Sequence, residues 1–278
     1  MGGAARSARK SRQNRQGRQQ AQAQAARSVA QARGTAGGDP KRVAIVVAAV
    51  VVLAALVIGG VIWINSSKNA TEGATIQPGA SPTLAAGVVE KRDGVVVSVG
   101  KPGAVKTIDL YADFLCPYCG QLQKDFGPRM EQAVNSGQLT VRYHMVTLLN
   151  QNSSPPGYSL ESANAALAAA DSQKFTAFHD ALFKNQPEEG QRGYDKAQLI
   201  KLGQDLGITD PKFAQTINAG TYDAQLQTAF QQAENDPNLA QDFPNGAHGF
   251  GTPTIAINGK AISASGDWLT GVLNGSVS

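Results

Sequence analysis

The feature that most restricts the fold is a pair of cysteines at the junction between a predicted strand and a predicted helix. The chain has 278 residues and only two cysteines, Cys116 and Cys119. Alternating apolar residues predict a strand over 105–114, and the residues from 117 to about 134 predict a helix. A second strand is predicted over 139–146. Because a β-α-β unit crosses over right-handed within a helix-covered sheet, the fold class is predicted to be α/β.

The position of the cysteines suggests a reactive thiol. If Cys116 is the N-cap of the helix, Pro117 occupies the first helical position, where its missing N–H costs nothing. The free N–H groups of Tyr118 and Cys119 then face the Cys116 sulfur, stabilise a thiolate and lower the pKa of Cys116. We therefore predict that Cys116 is an exposed nucleophile and that Cys119 is the resolving thiol of a redox pair.

Two other interpretations of the cysteine pair compete with a redox role. Two cysteines three apart can form half of a zinc site, but there is no second such pair, and the histidines His144, His179 and His248 are scattered. We therefore predict no metal. A purely structural disulfide is the other alternative, although so short a loop restrains the unfolded chain little.

The rest of the pattern completes the domain. A leading hairpin is predicted around Asp93-Gly94, and helices are predicted from 158 to about 234. A strand at 254–257, a turn at Asn258-Gly259 and a short returning strand precede a last helix. The folded domain is predicted to cover 88–278, with the helical block inserted into it.

The N-terminal third of the chain predicts a membrane anchor. Residues 43–64 form an unbroken apolar run of 22 residues, long enough to cross a bilayer as a helix. Residues 1–42 carry a net charge of +9 and should form a disordered basic tail, which the positive-inside rule places in the cytoplasm. Residues 65–87 read as a flexible linker. We therefore expect a single-pass membrane protein whose domain is extracytoplasmic, and no nucleic-acid partner for the tail.

Two motifs carry a resemblance to a known family. The stretch DFLCPYCGQL, and FGTPTIAINGK further along, resemble the bacterial DsbA-like branch of the thioredoxin superfamily. The resemblance implies a thioredoxin fold with a helical insertion, preceded here by the transmembrane helix and the basic tail. It also implies that Thr252 and Pro253 share a cis peptide bond, face the disulfide and bind substrate, together with Pro117 and Tyr118. It implies no cofactor.

One departure from the family concerns a buried carboxylate. Many members carry an acidic residue six positions before the first cysteine, where this chain has Leu110. Asp109 and Asp113 are nearby, but strand alternation directs both to the opposite face. We expect Asp113 to be solvated or to cap a turn.

The resemblance and the cysteine pattern together predict an oxidase that introduces disulfides into exported, reduced proteins. By family analogy a quinone-linked membrane partner reoxidises it, and we expect a monomer of intermediate oxidising strength whose reduced form is the more stable. A reductase, an isomerase, or a peptide-binding or chaperone-like module with an idle disulfide are the alternatives.

Overall fold

The computed structural model describes residues 69–79, 84–243 and 246–277. The predicted basic tail (1–42), the predicted anchor (43–64) and parts of the predicted linker lie outside these ranges. Within the described ranges no helix has the length and apolar character needed to cross a membrane.

The described residues fold around one mixed sheet of six strands, in the order β1-β2-β4-β3-β7-β8. Strands β3 and β4 are parallel, with Leu110 opposite Tyr143, and the connection between them is the helix that carries the cysteines. The other neighbours in this sheet are antiparallel. The predicted α/β class is therefore confirmed. The strands are β1 Val89–Asp93, β2 Val96–Gly100, β3 Lys106–Ala112, β4 Leu139–Met145, β7 Thr254–Ile257 and β8 Lys260–Ile262.

The helix between β3 and β4, α1 (Pro117–Ser136), begins and ends where the sequence dictates. Pro117 supplies the first helical position, and Gly137 adopts the left-handed conformation (φ 79°) that stops the helix. Its buried face, which includes Leu122, Met130 and Val134, packs on the sheet. This packing fixes the N-terminus of α1 at the carboxyl end of β3.

The helical insertion predicted for 158–234 is present with those bounds. Its Ala-rich first helix is almost entirely buried, since small side chains allow the neighbouring helices to pack closely around it. Asp195 and Gln198 form a reciprocal capping box before the helix that starts at Lys196, and Asp210 caps the helix that starts at Pro211. The helices are α2 Tyr158–Asp171, α3 Phe175–Lys184, α4 Lys196–Asp205, α5 Pro211–Ala219 and α6 Asp223–Glu234.

The C-terminal part of the chain returns to the sheet. A short 3-10 helix, Pro237–Leu239, leads into a two-residue hairpin that the sequence did not predict, β5 Gln241–Asp242 and β6 His248–Gly249. Strands β7 and β8 follow, and α7 (Trp268–Asn274) closes the fold.

Residues 69–79, which we call the leading segment, contradict the prediction of a flexible linker. Ile76 is buried in the main core. The Thr71 hydroxyl donates to the carbonyl oxygens of Arg192 and Gly193, both at 2.9 Å. The Gln198 side chain donates to the Thr71 carbonyl at 2.6 Å. The composition suggested a tether, but these contacts hold the segment against the insertion.

The leading hairpin is tied to the insertion by one buried carboxylate. Glu90 of β1 accepts hydrogen bonds from the backbone N–H groups of Phe175 at 2.9 Å and Thr176 at 2.8 Å. These are orphan donors at the start of α3, so Glu90 acts as a cap supplied from a distant strand.

Candidate active site

The two cysteines lie at the junction that the sequence predicted, where β3 ends and α1 begins. Cys116 is the N-cap, with φ −73° and ψ 118°, and its carbonyl accepts the first helical hydrogen bond from Gly120 at 3.1 Å. Both residues are free thiols and both are buried. Cys116 is only 4% exposed, which corrects the expectation of an exposed nucleophile, whereas Tyr118 beside it is 76% exposed.

The surroundings give the two thiols different acidities. The pKa of Cys116 is lowered from 9.0 to about 7, first by a hydrogen bond with the Cys119 thiol and then by the Thr252 side chain and the backbone N–H groups of Cys119 and Tyr118, against the opposing effect of burial. The pKa of Cys119 is raised well above its ordinary value, first by burial and then by Cys116. The helix-cap donors therefore act as predicted, but the largest contribution comes from the second thiol.

The segment around Thr252 and Pro253 faces Cys116 from the other side. The Thr252–Pro253 peptide bond is cis. The Cys116 thiol donates a hydrogen bond to the Thr252 carbonyl oxygen, with a sulfur–oxygen distance of 3.3 Å. The structure thus brings together the motifs that the sequence placed far apart, since these two residues are 136 positions apart.

Gln241 supports this segment and was missed by the sequence reasoning. Its side-chain amide donates to the carbonyl oxygens of Gly251 at 3.2 Å and Pro253 at 3.3 Å, and to the Thr254 hydroxyl at 2.9 Å. Gln241 belongs to the unpredicted hairpin, so no local pattern identified it.

Asp113 is an acidic residue whose charge acts on Cys119, and one part of the prediction for it was wrong. It does cap a turn, accepting from the backbone N–H of Leu115 at 2.8 Å, but it is completely buried instead of solvated. It also accepts from the Leu149 N–H at 2.8 Å and the Ser159 hydroxyl at 2.7 Å. Burial raises the pKa of Asp113 to about 6, and its charge contributes to the raised pKa of Cys119.

Leu110 and Asp109, the residue six positions before Cys116 and its neighbour, have different surroundings. Leu110 is buried in the core. Asp109 lies on the other face of β3, in hydrogen-bonding contact with Arg142 and with His144. It belongs to a polar cluster that also includes Tyr111, whose ring stacks on His144 with a centroid separation of 4.2 Å.

No metal centre accompanies the cysteines in the part of the chain that the structure describes. Groups of three or more His, Cys, Asp or Glu side chains placed to hold an ion are absent there. Within that part, the chemical equipment of the site consists of two thiols, a buried carboxylate and a backbone segment.

Comparison with known proteins shows which proteins this chain is similar to. The family model for thioredoxin matches residues 92–270. The serine/threonine-protein kinase PknE of Mycobacterium tuberculosis is 32% identical over 169 residues, which are 59% of this chain and 28% of that protein. Disulfide bond formation protein D of Bacillus subtilis is 26% identical over 171 residues, which are 61% of this chain and 71% of that protein.

A solved structure agrees with the match to the family. Oxidised DsbA of M. tuberculosis is 30% identical, with a TM-score of 0.50 over 64% of this chain and 86% of that one. The chain belongs to the thioredoxin family. The predicted resemblance to its DsbA-like thiol–disulfide oxidoreductases is confirmed, and with it the prediction of an oxidoreductase. The chain spans only about a quarter of the length of the kinase it matches.

Proposed function

We propose that this enzyme introduces disulfides into exported proteins through Cys116 and Cys119. The observation that carries the exchange chemistry, as distinct from its direction, is the unequal acidity of two adjacent thiols, with the pKa of Cys116 lowered to about 7 and that of Cys119 raised. A structural bridge needs no such difference, whereas an exchange reaction needs one thiol that leaves easily and one that stays protonated.

The reaction begins with the disulfide form of the pair. A substrate thiolate attacks the Cys116 sulfur, the Cys116–Cys119 bond breaks, and Cys119 leaves and takes up a proton. A second substrate thiolate then attacks the substrate sulfur of the mixed disulfide, and Cys116 leaves as a thiolate. The substrate has lost two electrons to the enzyme and holds a new disulfide. A disulfide- or quinone-linked membrane partner must accept those electrons before the next cycle.

Asp113 has a place in the first of these steps. Burial and Cys116 raise the pKa of Cys119, and the charge of the Asp113 carboxylate adds to them, so the leaving sulfur gains a proton readily and does not attack the mixed disulfide in reverse. Position 110 cannot supply a carboxylate for this role, because it is occupied by Leu110.

Substrate binding is proposed for four residues around the pair. The Thr252 carbonyl accepts a hydrogen bond from the thiol in this state, and an extended substrate strand can take that acceptor for its own N–H. Pro253 follows Thr252 and extends the backbone that the substrate strand would contact. Tyr118 is exposed and lies next to Pro117 in sequence, so its ring is available to the substrate. Most of the recognition is then made through the backbone, which suits an enzyme that must accept many sequences.

The direction of exchange, that is, whether the enzyme oxidises or reduces its substrates, needs separate support. A pKa of about 7 at Cys116 stabilises the reduced form by only about 0.4 kcal/mol at pH 7, which corresponds to about 10 mV. The oxidase assignment is therefore supported by the DsbA relative and not by the thiolate. A reductase is the second candidate, because thioredoxin itself has a nucleophilic cysteine of pKa about 7.

Two measurements on the purified domain decide the direction. An oxidase should equilibrate with glutathione buffers at a potential well above about −270 mV, and its reduced form should resist urea better than its oxidised form. A potential near that of thioredoxin, with the oxidised form clearly more stable, would move the reductase ahead.

The extracytoplasmic location is proposed from the sequence of residues 1–64, with an N-terminus in the cytoplasm and a single membrane helix at 43–64. A reporter that works only in the cytoplasm, fused after Ser278, should give no signal. A strong signal would place the thiols in a reducing compartment and contradict the oxidase assignment.

A further inference from the structure

We propose that Gln186 is a positioning residue that holds the Cys116 backbone in place from the helical insertion. This inference rests on the proposed role of Cys116 as the reacting thiol, and it adds a residue to which neither motif points. Gln186 lies two positions after α3 ends, and in sequence it is 70 residues from Cys116.

The contacts of Gln186 are made with the backbone of the redox segment. Its side-chain amide donates to the carbonyl oxygen of Phe114 at 3.0 Å and to that of Cys116 at 2.9 Å. These carbonyls belong to the peptide groups on either side of the Leu115–Cys116 pair. One planar amide therefore restrains the rotation of the backbone from which the Cys116 side chain projects.

This restraint bears directly on the reacting sulfur. The N–H groups of Tyr118 and Cys119 lower the pKa of Cys116 only while its sulfur lies over the start of α1. That position depends on the Cys116 backbone angles (φ −73°, ψ 118°), and no side-chain cap hydrogen bond reinforces them. Gln186 supplies the missing restraint from outside the helix.

The position of the Gln186 side chain requires a glycine at position 120. A Cβ atom added at Gly120 would lie 2.2 Å from the Gln186 side-chain oxygen, far inside any normal contact. The Gln186 side chain can therefore keep this position only with a hydrogen atom at position 120, since a methyl group there would displace the end of that side chain. Gly120 and Gln186 form one contact that can be perturbed from either side.

A neighbouring contact provides the matched control. Gln123 of α1 donates to the Asp180 carboxylate of α3 at 3.0 Å, so it also joins these two helices. Its side-chain hydrogen bond is directed at Asp180 and not at the redox segment. A variant without this bond measures how a weaker contact between α1 and α3 alone changes the pKa of Cys116.

The test is the pH dependence of Cys116 in the reduced, full-length protein. Gln186→Met keeps most of the side-chain volume and removes both donors. We expect the pKa of Cys116 to rise by about one unit, so that the thiolate fraction at pH 7 falls about fivefold, as read from thiolate ultraviolet absorbance and from the pH profile of alkylation. Gln123→Ala should leave that profile unchanged.

The glycine gives a second, independent variant. Gly120→Ala should shift the profile in the same direction by displacing the Gln186 side chain, yet should add nothing in a Gln186→Ala background, where space is free. An unchanged profile in both Gln186→Met and Gly120→Ala, or an equal shift in Gln123→Ala, would overturn the inference. If the parent protein itself shows no acidic thiol, the proposed function fails instead.

Discussion

The lowered pKa of Cys116 predicts a specific pH dependence of stability for the reduced protein. The folded state holds the Cys116 pKa at about 7, against an ordinary value of 9.0 that we assign to the unfolded chain. Since the folded pKa is the lower one, the thiolate adds stability as pH rises, and this contribution is lost as pH falls through about 7. Replacement of the thiol by Cys116→Ser removes the contribution at every pH.

The magnitude follows from the two pKa values. With a folded pKa of about 7 and an unfolded pKa of 9.0, the thiolate contributes close to zero at pH 6, about 0.4 kcal/mol at pH 7 and about 1.4 kcal/mol at pH 8. For a urea dependence of about 2–3 kcal/mol/M, the unfolding midpoint of the parent should gain about half a molar over Cys116→Ser between pH 6 and pH 8.

Urea unfolding of both proteins in excess reductant, at pH 6, 7 and 8, measures this gain. The difference between parent and variant removes contributions common to both, above all that of Asp113, whose raised pKa of about 6 makes ionisation unfavourable to folding over part of the same range. Cys119 stays protonated throughout, because its pKa is raised. A difference that stays constant or shrinks from pH 6 to pH 8 would refute the assignment of Cys116 as the acidic thiol.

Three further predictions concern single residues. Cys119→Ala should accumulate mixed disulfides with exported proteins, seen as adducts on non-reducing gels, while Cys116→Ala should accumulate none. Ile76→Ala should cost about 2–5 kcal/mol in urea unfolding, because Ile76 is buried although it lies in a segment that reads as a linker; no loss would show that the leading segment is undocked. Glu90→Gln should cost about 1–3 kcal/mol, since the two N–H groups at the start of α3 bond different carboxylate oxygens and an amide replaces one of these acceptors with a donor group; an unchanged midpoint would count against the cap.

The elements that rely on local patterns could be predicted from the sequence. The β-α-β unit, the insertion over 158–234 and the caps at Asp195 and Asp210 depend on residues within a few positions of each other. The same holds for Cys116 as the N-cap of α1, because strand, cysteine and proline are consecutive. Periodicity and capping chemistry identify such features without knowledge of the tertiary fold.

The features that were missed depend on contacts between distant segments. The leading segment has the composition of a linker, and it is the burial of Ile76 and the contacts with Gln198 and the Gly193 backbone that show it is docked. Asp113 was judged by strand alternation, but β3 ends at Ala112, so alternation no longer applies to it. Cys116 was expected to be exposed because a nucleophile must be reached, and the structure instead covers it with the segment around Thr252.

The distances along the chain between the parts of this site have a consequence for newly made molecules. Synthesis delivers Cys116 and Cys119 first, Gln186 about 70 residues later and Thr252 about 136 residues after Cys116. Until those segments arrive, Cys116 lacks its contact with the Thr252 segment, and neither thiol has the burial that the folded domain gives it. A nascent copy of this protein is therefore open to the same oxidation as any exported chain. The substrate-binding segment proposed around Thr252 is the last of these parts to be made, so the complete site forms only after most of the last third of the chain has been synthesised.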